Sequence, residues 1–185
     1  MKKELIHTRK IMVNCYETDE GRLLVEGLLL DERLFPFIIH AIDERREAGP
    51  MHHVALTMEL SLPHMEILSL KTEMPVVPDA GCREIQHKMQ KLTGRFIRPG
   101  FTNEVRKLLG KAEGCLHLTN LLLAMSSAAA QGLWTLASRV REGKTPPLPK
   151  TDGSILVNSC YMWREGGPFE ENIRRRRIET EGKRR

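Results

Sequence analysis

The apolar residues of this chain change their spacing once, near residue 79, and that change constrains the fold more than any other feature. Before it, apolar and polar residues alternate: Val54, Leu56, Met58 and Leu60 interleave with Ala55, Thr57, Glu59 and Ser61, the period-2 pattern of a strand with one buried face. After it, apolar residues recur at helical spacing. The order of strands followed by helices predicts an α+β fold, with antiparallel β-hairpins forming a sheet in the first half and a helical second half packed on it.

Two hairpins account for the strands. Residues 11–16 and 23–30 flank Glu17-Thr18-Asp19-Glu20-Gly21, a short glycine-bearing turn. Residues 54–60 pair with a run from Ile67 to Met74, which Pro75 and Pro78 stop. Closeness in sequence predicts that the hairpins share one sheet. Phe37 to Ala48 fits either a short helix or an extended excursion, ended by Gly49-Pro50.

Downstream, Asp79 is the expected N-cap of a helix through Leu92, with Gly94 just beyond. Thr102 is expected to cap a second helix over residues 103–109, and a long third helix to run from about Cys115 to Arg141, its buried stripe marked by Leu116, Leu123, Ala130 and Trp134. The small residues Ser126 to Ala130 let another element approach closely. Pro146, Pro147 and Pro149 read as a stiff linker, Ile155 to Val157 as a last strand, and the segment after Phe169 as disordered or weakly helical. The expected organisation is one domain over residues 1–165 and a basic, flexible tail over 166–185.

Charge limits the choice of partner. From Arg164 onward there are eight basic and five acidic residues, and the remaining 163 residues carry 21 and 19. The body is close to neutral, which argues against a nucleic-acid face. No apolar h-region follows Met1 and no unbroken apolar run reaches the length of a membrane span, so the reading is cytoplasmic and without membrane contact. In a reducing compartment the four cysteines are thiols, metal ligands or redox groups rather than structural disulfides.

The signatures of phosphate-binding loops, dinucleotide folds, serine hydrolases and zinc proteases are absent. Cysteine and histidine placement says more. Cys82 and Cys115 each fall at an expected helix start, where free N–H groups and the helix dipole favour thiolate, the metal-binding form. His117 follows Cys115 by two residues, Cys160 follows the expected last strand, and His52 and His53 open the second hairpin. Neighbours on a strand point to opposite faces, so His52 and His53 divide between the two sides. Cys15 reads as a core residue, and His7, His40, His64 and His87 as surface or satisfied core histidines.

Two resemblances accompany these observations. Leu5-Ile6-His7-Thr8-Arg9, the stretch Gly94 to Thr102, the run Gly114 to Leu122 and the end Asn158 to Arg164 resemble an uncharacterised bacterial family, the domain of unknown function numbered 2889. That family has no activity to carry over. Residues 51 to about 135 are also similar in order to the NifU/IscU/SufU-type iron–sulfur scaffolds. The resemblance sets His52 and His53 at the first ligand site, Cys82 at the second and Cys115 at the third. Where those scaffolds have a cysteine shortly followed by an aspartate, this chain has His52 and His53.

Three functions follow as alternatives. The first, which the residues favour, is a metal- or iron–sulfur-binding scaffold or accessory protein. It holds zinc or a cluster on Cys82, Cys115 and His52 or His53, completed by His117 or Cys160, and it works with a metal or cluster donor or a client protein. The second is a thiol-dependent enzyme with Cys115 as nucleophile and His117 or a His52-type base; helix geometry disfavours it, since residues two apart on a helix point about 200° apart. The third is a non-catalytic interaction module whose basic tail meets an acidic partner or nucleic acid.

Overall fold

The computed structural model describes residues 1–140 and 156–182. Among these residues there are six strands: β1 (His7–Glu17), β2 (Leu23–Arg33), β3 (Phe37–Ile39), β4 (Glu44–Arg46), β5 (Gly49–Leu60) and β6 (Ile67–Val76). Four of them form one antiparallel sheet in the order β1-β2-β5-β6, so the two hairpins join through β2 and β5 as chain proximity predicts. The first turn closes on its own residues: Thr18 accepts from the amide of Arg22 through its side chain and from that of Gly21 through its carbonyl, with Gly21 at φ +72°.

The ambiguous stretch after β2 is an extended excursion. β3 and β4 make a small separate hairpin turned at Asp43, whose φ is +50°. Arg46 anchors it by donating to the carbonyls of Val77 and Pro78, at 3.2 and 2.8 Å. Gly49 and Pro50 open β5 instead of closing a helix, a place where a strand tolerates proline.

The inward face of the sheet carries Leu23, Val25 and Leu29 from β2 with Val54, Leu56, Met58 and Leu60 from β5, all buried. Helix α2 (Leu116–Ser138) lies against it and contributes Leu118, Leu121, Leu122, Met125, Ala129 and Leu133. Each large apolar side chain buried in this way contributes about 1.5–3 kcal/mol relative to exposure. The buried face differs from the expected stripe, for Leu116 is 66% exposed. Leucine and alanine populate nearly every side of this helix, so spacing alone cannot phase it. By length and composition α2 is apolar enough to cross a membrane; here its apolar side chains fill the core. At the closest approach a Cβ on Gly27 would stand 2.5 Å from the sulfur of Met125, which explains a glycine at an inward position of β2. Cys15 packs against the same helix, with its Sγ 3.5 Å from the carbonyl of Ala128, and burial raises its thiol pKa.

The remaining elements close the ends of this sandwich. Asp79 accepts from the amide of Gly81 at 2.7 Å and starts a helix over Ala80–Leu92, wound as a 3₁₀ helix, with Gly94 beyond it at φ +81°. Helix α1 is Phe101–Leu109. Its N-cap is Gly100 in a left-handed conformation and not Thr102, which lies inside the helix. Residues 156–158 form a turn rather than the expected strand, with Leu156 buried, while Ile155 and the prolines at 146, 147 and 149 lie outside the described residues. Trp163 packs edge-on against Trp134 of α2 and against Phe169, each at 5.5 Å. The segment after it is helix α3 (Pro168–Gly182).

Candidate metal centre

At one end of the inward face, apolar alternation gives way to charge. Leu23, Val25, Gly27 and Leu29 point inward along β2, and the next inward position is Asp31, 2% exposed. Its cross-strand partners are Arg9 on β1 and His52 on β5. Three chemically active residues thus stand in one row across three strands. A register shift falls next to this row, between Asp31 and Glu32, where Met51 is the extra residue of a bulge. The N-terminus of α2 adds His117, whose Nε2 lies 3.0 Å from Asp31 Oδ2.

The carboxylate of Asp31 is the hub. Arg9 donates to both of its oxygens at 2.6 Å, a two-bond fork that matches guanidinium to carboxylate. His52 Nδ1 is 3.5 Å from Oδ2 and His7 Nε2 is 3.4 Å from Oδ1. Neither of those two nitrogens makes a hydrogen bond, although both are buried. The rings of His52 and His117 stack with centroids 3.6 Å apart.

Charge states follow from these contacts. The bonds from Arg9 outweigh the cost of burial and hold the Asp31 carboxyl at about 2, against an ordinary 3.8. Burial, then the neighbouring His117, pushes His52 down to about 4, and burial likewise lowers His117. At neutral pH the group is one carboxylate with two neutral imidazoles, the protonation state that metal binding needs.

The donor atoms of Asp31, His52 and His117 all lie within 4.8 Å of one another. Ligands at the 2.0–2.1 Å typical of zinc stand about 3.3 Å apart around a tetrahedral ion. The two carboxylate–imidazole separations, 3.0 and 3.5 Å, bracket that spacing. The stacked rings need to swing apart to aim both in-plane lone pairs at one ion. Two histidines and one carboxylate leave a coordination position open, as in catalytic and transport sites.

Cys115 belongs to the surroundings of this group. It is the N-cap of α2 with extended backbone (φ −103°, ψ 126°), so the 200° phase argument does not apply to it. Its Sγ comes within 3.8 Å of His117 Nδ1. A metal-bound histidine normally gives its second ring nitrogen to an orienting partner, and Cys115 occupies that place. Cys82, on the 3₁₀ helix, lines a cavity of about 400 Å³ with Gly114 and Cys115, so the two helix-start cysteines border one cavity. Neither joins the donor group, which among the described residues is Asp31, His52 and His117 alone. His53, one residue from His52, falls on the opposite side of β5 from the inward row. Cys160 is exposed, ahead of the short 3₁₀ turn Tyr161–Trp163.

The spacing of cysteines and histidines did not point to Asp31, Arg9 or His7. The signal was present in the strand pattern, because Asp31 extends the inward series of β2 and an acidic residue at such a position needs a partner.

The family model for a protein of unknown function (DUF2889) matches residues 7–131. The chain belongs to this family. The DUF2889 match takes in His7, Arg9, Asp31, His52, Cys82, Cys115 and His117 and stops short of Cys160. No curated protein and no solved structure matches the chain.

Proposed function

We propose that this DUF2889 protein binds one divalent transition-metal ion, zinc foremost, through Asp31, His52 and His117, and acts as a metal-binding accessory protein. The observation that carries the proposal is the convergence of a buried carboxylate and two neutral imidazoles from β2, β5 and α2, with His52 Nδ1 buried and making no hydrogen bond. A buried polar nitrogen without a partner costs stability, and a coordinated ion removes that cost. Imidazole and carboxylate suit zinc and its first-row neighbours, whereas clusters of iron and sulfide are held mainly by thiolates. The donor set therefore favours a single ion over a cluster.

Competition with a chromophoric chelator tests this. The wild type should hold one equivalent of zinc. His52→Gln and His117→Gln should each lose more affinity than the roughly 10–100-fold that follows loss of an outer partner. A wild type that takes up no stoichiometric zinc, iron, cobalt or nickel removes the proposal.

A second reading has its own observation. With Nε2–H of His117 directed at Asp31, Nδ1 is free to accept from the Cys115 thiol, giving a Cys–His–Asp relay at 3.8 and 3.0 Å. In that case the metal-free protein should show alkylation of Cys115 much faster than of Cys82, and His117→Gln should abolish the difference.

A further inference from the structure

We infer that the centre takes a small oxyanion, a carboxylate or a phosphate, together with its metal, and that Arg33 is the residue that holds it. The inference rests on the proposed metal site and names what fills its open position.

Asp31 supplies the single carboxylate of the donor group, and Arg9 already neutralises it through two 2.6 Å bonds. Arg33 lies two residues further along β2, directly across from His7 on β1. It is half-buried, and its side chain makes no hydrogen bond or ion pair among the described residues. By alternation along β2 it falls on the same face of the sheet as Asp31. A guanidinium with no anion beside it among the described residues, next to a donor cluster whose one carboxylate is already claimed, suits a bound counter-charge.

One further feature carries the same sign. Cys115 caps α2 without a side-chain hydrogen bond, and the first turn of that helix contains no acidic residue. The positive end of the helix dipole at His117 is therefore not offset by its own sequence. Opposite Arg33, His7 Nε2 is buried and makes no hydrogen bond, with Asp31 Oδ1 3.4 Å away. A divalent ion added to this environment brings two more positive charges against one carboxylate that Arg9 has already claimed. An oxyanion resolves the imbalance: one oxygen fills the metal's open position and another accepts from the fork of Arg33, a geometry that suits carboxylate and phosphate alike. Metal and anion then bind with positive coupling, each tightening the other by the same factor.

The test is zinc affinity by chelator competition in chloride buffer, and again with inorganic phosphate or malonate added, for wild type, Arg33→Gln and Arg33→Lys. Either phosphate or malonate should raise wild-type zinc affinity by about tenfold or more, and the stronger of the two identifies the anion class. Arg33→Gln should lose that gain while binding zinc in chloride at least as well as wild type, because a repelling charge has gone. Arg33→Lys, which keeps charge but not the fork, should retain part of the gain and guards against a folding defect in the glutamine variant. Equal wild-type affinities in all three buffers, or a gain that survives Arg33→Gln, overturns the inference. Should the wild type bind no zinc at all, the metal reading has failed, and titration of phosphate and malonate into the metal-free protein, followed at the Arg33 side-chain N–H by NMR, decides the anion separately. A saturable shift there keeps the anion site, and no shift removes it.

Discussion

Replacing Asp31 by asparagine keeps the shape of the side chain and deletes its charge, and the consequences follow from the contacts at the hub. The depression of its pKa from 3.8 to about 2 corresponds to about 2.4 kcal/mol of preference for the charged form in the folded state. Asparagine also presents an NH₂ group toward the donors of Arg9, so one of the two 2.6 Å bonds is lost outright. Arg9 is 36% exposed and can turn to water, which keeps the cost below the 3–5 kcal/mol of stranding a fully buried charge. The expected loss is about 2–3 kcal/mol at pH 7, read from urea unfolding of the metal-free proteins. Because the folded pKa lies below the unfolded one, the contribution of Asp31 is complete above about pH 4 and disappears as pH falls toward 2. The gap between wild type and variant should therefore shrink to about half by pH 3. A loss below about 0.5 kcal/mol at pH 7, or a gap that does not narrow in acid, refutes the reasoning, since it places Asp31 among ordinary surface residues.

Other expectations concern the same framework. His52 has its folded pKa lowered from 6.5 to about 4, so the unfolded chain takes up the proton first; metal-free protein should lose up to about 3 kcal/mol as pH falls through that window, and His52→Gln should flatten this limb of the pH–stability curve. Gly27→Val should cost about 1–3 kcal/mol in chemical denaturation, because its side chain meets Met125 and Leu121 where α2 crosses β2, and an unchanged midpoint contradicts the packing described. Cys115→Ala should weaken zinc binding by about tenfold without abolishing it, as removal of an outer partner does, and a complete loss shows instead that the sulfur is a ligand.

The sheet and the long helix were legible because alternation at 54–60 and the glycine-bearing turn at 17–21 encode local geometry directly. The excursion over 37–48 was not, because its two three-residue strands are too short to display a period. The start of α1 was misplaced for a physical reason: a left-handed Gly100 opened the helix where a side-chain cap was expected at Thr102. At the candidate site, His52 and His117 were recognisable as residue types, and the parity of neighbouring strand residues correctly separated His52 from His53. Their meeting point was not recognisable, because the Arg9–Asp31–His52 row depends on the pairing register of three strands and on where α2 sets its first turn. The emphasis on Cys82 and Cys115 followed from their helix starts, and the helix starts are real. What sequence could not show is that both cysteines line a cavity outside the donor group while a carboxylate takes the central position.

The most direct test of the central claim is the absorption spectrum of the cobalt(II)-loaded protein, recorded for wild type and for a Cys82→Ser/Cys115→Ser double variant. Coordination by Asp31, His52 and His117 predicts visible ligand-field bands without an intense sulfur-to-cobalt charge-transfer band in the near ultraviolet, nearly the same in both proteins and lost in His52→Gln. An intense charge-transfer band in the wild type that vanishes in the double variant would place the metal on the cysteines and contradict the account.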